Sequence, residues 1–160
     1  WMIPAMVVVA LATAWTAQRQ AASLPGPQDP QFLSINITDM LGFAVLAGAG
    51  LLLRRDPCAH KRLMLLSTLY LSTAGFARLW LLTIGATGTD TFWGFFFAYN
   101  IGGDILVAML GGYDWVTRGR LNPAWVMGTT WILANQLAAA WLYFSPTWKA
   151  ISIRLLGLET

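Results

Sequence analysis

The sequence predicts an all-α fold, a polytopic transmembrane helical bundle, and three observations carry that expectation. Charge nearly vanishes from residues 35–53, 63–84, 92–116 and 123–144, and each stretch is about as long as a helix must be to cross the roughly 30 Å hydrocarbon core. The cations gather in short connections between these stretches, which is how membrane proteins mark their cytoplasmic loops. Of 160 residues, 57% are hydrophobic and 11% charged, with a mean hydropathy of +0.58, whereas roughly a quarter of the residues of a soluble domain are charged. The expectation is one transmembrane domain over residues 1–160, with about five spans and a C-terminal interfacial amphipathic helix.

The elements follow in order. Residue 1 is Trp rather than Met, and the chain opens directly into an apolar run. A basic n-region and a small-residue cleavage pattern are both missing, so a signal peptide is a poor explanation. Residues 1–16 read as the outer part of a first membrane helix that begins upstream. A connection over 18–31 follows, with Arg19 as its cation, and then the span 35–53.

The next connection carries Arg54, Arg55, His60, Lys61 and Arg62, and the loop after the fourth span carries Arg118 and Arg120. Both are expected in the cytoplasm, with these cations and His60 serving topology or lipid headgroups. Asp56-Pro57 and Asn122-Pro123 each set a capping side chain before a proline suited to the first helical position, so helices should start near Pro57 and Pro123. The connection 85–91 holds Asp90 and no cation, which suits the outer side. Ser145-Pro146 repeats the start signal. Beyond it, Trp148, Ile151 and Leu155 alternate with Lys149, Ser152 and Arg154 at helical spacing, predicting an amphipathic helix over 146–157 on the outer surface. The C-terminus is then outside. Trp80, Trp93, Trp115, Trp125, Trp141 and Trp148 fall near span ends, where interfacial anchors belong.

Two segments carry a resemblance. RRDPCAHKRLMLLST at 54–68 and YDWVTRGRLNPAWVMG at 113–128, with Arg78 and Asp104 between them, resemble a functionally uncharacterised family of bacterial multispanning inner-membrane proteins, over most of residues 38–157. The resemblance implies a helical bundle in the bacterial inner membrane. It implies no known reaction and no catalytic residue.

Within the spans lie polar groups that lipid disfavours: Asp39, Arg78, Asn100, Asp104, Asn135 and Gln136. Ionisable groups at membrane depth are costly unless buried and paired. Helical spacing collects them into faces with small residues: Asp39, Gly42 and Ala49; Ser67, Ala74, Gly75 and Arg78; Asn100, Asp104, Ala108 and Gly111; Ala124, Gly128, Asn135 and Ala138. A guanidinium at this depth needs a carboxylate, so Arg78 is expected to pair with Asp104, or second with Asp39. The alternative joins Asp104 to Asn135 or Gln136. Gly102 and Gly103 beside Asp104 are expected to leave room for a cavity.

A formal charge of +3 and a pI near 9.4 do not point to nucleic acid, because the cations sit in topogenic loops. Cys58 is the single cysteine and His60 the single histidine. No Cys/His cluster offers a metal site, and one histidine excludes bis-histidine haem within the chain. The leading expectation is a non-catalytic integral membrane protein with a buried polar layer. It would serve as a structural or ligand-binding subunit of a membrane assembly, with lipid, quinone or pigment as ligand and membrane lipid or other subunits as partners. The alternative is a small proton- or ion-coupled transporter using Asp104 and Arg78, and behind it a membrane enzyme or electron carrier.

Overall fold

A computed structural model of the chain describes residues 2–22, 29–83, 85 and 88–157. Its elements are α1 (Met2–Ala22), a 3-10 turn (Pro30–Phe32), α2 (Leu33–Leu52), α3 (Pro57–Thr83), α4 (Phe92–Arg118), α5 (Pro123–Phe144) and α6 (Pro146–Leu156). No strand occurs among the described residues. Three stretches, Pro30–Leu52, Pro57–Thr83 and Phe92–Arg118, are long and apolar enough to cross a membrane. α5 has comparable length, but Thr129, Thr130, Asn135 and Gln136 interrupt its apolar run.

The helix starts are set by local chemistry. Asp56 Oδ1 accepts from the Cys58 and Ala59 amides at 2.9 and 3.2 Å, and Asn122 Oδ1 accepts from the Ala124 amide at 2.9 Å. These caps satisfy N–H groups that a helix start leaves without intrahelical partners. Thr91, overlooked in the sequence, caps α4 through Gly94 N. Ser145 makes no side-chain cap, and Pro146 alone marks the start of α6. α4 ends at Gly119, where φ is +66°, a conformation glycine adopts without steric cost. The first helix is longer than expected. α1 runs through Gln18 and Arg19 to Ala22, so Arg19 belongs to a helix and lies over the Trp15 ring, 4.9 Å from its centroid. Trp1, residues 23–28 of the first connection and position 84 at the expected end of the third span lie outside the described residues.

α2, α3, α4 and α5 pack around one another, and α1 lies on α2. Leu46, Leu63, Leu66, Tyr70, Val107 and Ile132 interlock at the centre. Glycine lets backbones close in. A Cβ at Gly128 would collide with Leu66 Cδ1, and one at Gly111 with the Trp125 indole. Trp125 is therefore no simple interfacial anchor, since it donates to Val107 O at 3.0 Å and ties α5 to α4. Trp148 likewise donates to Gln31 O at 3.2 Å, which seats α6 on the 3-10 turn.

The aromatic run after Thr91 divides by helical phase. Phe95 stacks on Tyr143 with centroids 4.2 Å apart and meets Tyr99 at a tilt, 4.4 Å away, while Trp93 and Phe97 are exposed.

Candidate functional site

The buried faces are rotated relative to those expected. On α4 the buried residues include Gly103, Val107, Gly111 and Asp114, while Asn100 and Asp104 are half-buried and Ala108 is exposed. On α3 the buried set includes Leu66, Ser67, Tyr70, Thr73 and Ala77, with Gly75 and Arg78 exposed. On α5, Asn135 and Gln136 are both buried and Ala138 is exposed.

This rotation undoes the expected Arg78 pairing. Among the described residues Arg78 forms no ion pair with Asp104 or Asp39, and its Nη1 donates to Ala74 O of its own helix at 3.1 Å. The expected alternative is found instead. Gln136 Nε2 donates to Asp104 Oδ1 at 2.9 Å. Asn135 turns away from Asp104, and its Nδ2 donates to Thr38 O at 2.8 Å and to the Tyr70 hydroxyl at 2.6 Å. One amide of α5 thus ties α2 and α3 together, as burial of polar groups demands. Asn100 Nδ2 bonds back to Phe96 O at 2.9 Å.

Gly42 is where α2 approaches this chain most closely. A Cβ there would overlap the Tyr70 ring and lie 2.9 Å from Asn135 Nδ2. The glycines beside Asp104 do not open a cavity. The space a Cβ would take is filled by Phe76 at Gly102 and by Thr73 at Gly103.

A second correction concerns the basic loop. Arg62 does not face headgroups. It is 7% exposed, and its Nε and Nη2 bind both oxygens of Asp114, which is fully buried. The paired, planar contact suits guanidinium and carboxylate. Arg118 Nε adds a longer contact to Asp114 Oδ1, 3.9 Å away. Asp114 had no place among the expected site residues, although it continues the seven-residue spacing from Val107 on the buried face of α4. His60 is likewise turned inward, with Nδ1 donating to Gly50 O of α2 at 2.8 Å. Arg54, Arg55, Lys61, Arg118 and Arg120 are exposed.

A large apolar cavity lies apart from the polar layer. It holds about 480 Å³ between α2, α3 and α5, near the end that carries the basic loops, with Leu46, Ala49, Leu63, Met127, Gly128 and Trp131 among its walls and Asp56 and Asn122 at its rim. Trp131 lines this cavity, and its Nε1 is buried without a hydrogen-bond partner. A smaller space of about 220 Å³ between α4 and α5 is bordered by Asp104, Trp125 and Thr129. No group of three or more His, Cys, Asp or Glu suited to hold a metal ion occurs among the described residues. Comparisons of the chain with protein families, characterised proteins and solved structures returned no match.

Proposed function

We propose that this chain is a non-catalytic integral membrane protein that crosses the bacterial inner membrane about five times, with its basic loops in the cytoplasm and α6 lying on the outer surface. Within it the polar layer acts as scaffold, and the groove between α2, α3 and α5 holds the chain of an anionic lipid. The carrying observation is the 480 Å³ apolar groove, whose volume falls within the range of sites that bury a small ligand. Its rim fits the same occupant. Leu53 and Asn122 border the groove, and the exposed Arg54, Arg55 and Arg120 lie within two residues of them in sequence. An anionic headgroup beside these cations would leave its acyl or prenyl tail in the groove.

The reading also supports membership of a larger assembly. Val8 and Val9 of α1 are 66% and 64% exposed, which gives α1 an apolar face for lipid or a neighbouring subunit.

The test is lipid retention. Purified in mild detergent and extracted into organic solvent, the protein should carry one anionic lipid class in near-stoichiometric amount. Val45→Trp, a substitution at an exposed residue on the groove wall, should lower that amount several-fold and leave the fold intact. An extract that mirrors the bulk membrane, unchanged in the variant, would overturn the lipid reading.

A further inference from the structure

Away from the lipid groove, the polar layer encloses a space of about 20 Å³ walled by residues of α2, α3, α4 and α5, with Asp39, Tyr70, Tyr99, Asn100 and Gln136 as its polar members. Such a volume admits one water-sized sphere. Gln136 is 2% exposed. The bond from its Nε2 to Asp104 fixes the amide, and its Oε1 is buried without any hydrogen-bond partner. A buried acceptor left unsatisfied costs about 1–3 kcal/mol, and an occupant of the space that Gln136 lines would relieve that cost. Asp39 brings a carboxylate to the same wall, which Tyr70 also lines. Asn100 has its Nδ2 committed to Phe96 O. The polar wall thus offers a carboxylate and several amide and phenol oxygens.

We propose that this space is a binding site for a small monovalent cation of sodium size. The ligand set consists of oxygen, which hard cations prefer. Its only carboxylate is Asp39, and amide and phenol oxygens complete it. One negative charge balances one positive charge, whereas calcium sites usually gather several carboxylates. Asp104 adds a second negative charge behind Gln136 but does not border the space. An adjoining cavity of about 90 Å³ shares Asp39, Tyr99 and Asn100 with the first and extends to Asn36 and Arg78, giving a polar route in. Arg78 stands on that route as the one cation among the lining groups. Its charge opposes an entering cation and keeps the affinity modest.

The experiment is a cation titration of the purified full chain at constant ionic strength, with choline as the inert replacement. Sodium should raise the thermal midpoint saturably, on the order of a few degrees, because only the folded state offers the site. Potassium should do less in so small a space. Asp39→Asn should abolish the sodium-dependent increment while the protein remains folded in choline. Arg78→Gln should shift the titration several-fold toward lower sodium. Retention of radioactive sodium by the wild-type protein gives a readout independent of unfolding. Equal midpoints in sodium and choline with no retained sodium would mean that the space holds only water, and would overturn the proposal. A sodium increment that survives Asp39→Asn undiminished would place the ion elsewhere and overturn it as well. Neither result depends on what occupies the lipid groove.

Discussion

The two ends of the bundle solve the problem of buried charge differently. At the end with the basic loops, Asp114 meets a cation directly, with Arg62 on both of its oxygens and Arg118 nearby. Toward the other end, Asp104 is held by a neutral amide, that of Gln136, and among the described residues neither it nor Asp39 forms an ion pair. The first arrangement is closed, because the two charges match and both carboxylate oxygens are engaged. The second leaves an acceptor over, Gln136 Oε1. A closed pair serves as a clasp between α3 and α4, whereas an open network has capacity for something else.

The comparison breaks most visibly at Arg62. Arg62→Ala would leave Asp114 buried with only the more distant Arg118, and uncoupling a buried pair in this way costs about 3–5 kcal/mol. Thermal or denaturant unfolding in detergent should register it as the largest loss among the polar substitutions. Arg62→Met together with Asp114→Leu should recover much of that loss, because no charge is then left unpaired. Equal instability of the single and double variants would mean that packing, not charge, holds this end.

The elements were largely legible in the sequence, and the partnerships only in part. Asp56-Pro57 and Asn122-Pro123 announced their helix starts because a capping oxygen before a proline acts locally. Arg78 was misassigned because depth alone was matched. An arginine and an aspartate at similar heights meet only if both helices present them to the same seam, and small residues recurring every three or four positions do not fix that angle. Tyr70 and Thr38 escaped notice for a related reason. A tyrosine reads as apolar bulk, and a threonine's backbone carbonyl, the group Asn135 binds, has no sequence signature. Asp114 was the most recoverable omission. Gly103, Val107, Gly111 and Asp114 follow one another at four, four and three residues, so the same periodicity that marks the seam also marks the acid. It was masked by Lys61 and Arg62, whose adjacency made both look like loop cations.

A smaller change would sharpen the contrast from the open side. Gly42→Ala introduces a methyl against the Tyr70 ring and Asn135, and the network that must yield connects three helices. Overpacking of this kind costs about 1–3 kcal/mol. Gly48→Ala is the control. A Cβ there meets nothing within 4 Å, and Ala is favoured over Gly by about 1 kcal/mol in a helix interior, so the two substitutions on one helix should move the unfolding midpoint in opposite directions. Two shifts of the same sign would argue that α2 does not press on Tyr70 as described.

The smallest expected effect belongs to Arg78. Its side chain is exposed and its hydrogen bond runs to Ala74 of the same helix, so its removal leaves neither Asp39 nor Asp104 without a partner. It lies five residues before Thr83, the last residue of α3, about 7.5 Å along the axis at a rise of 1.5 Å per residue. The side chain folds back one turn, away from that end, to reach Ala74 O. Arg78→Ala should therefore shift stability by no more than about 0.5 kcal/mol. Combined with Asp104→Asn, it should add to within about 0.3–0.5 kcal/mol, the behaviour of sites that share no partner. The same cycle built on Asp104→Asn and Gln136→Leu should depart from additivity, since those two side chains bond directly. If instead Arg78 proves coupled to Asp104 and Gln136 does not, the guanidinium reaches the layer after all, and the open end of the bundle is closed by charge in the same way as the other.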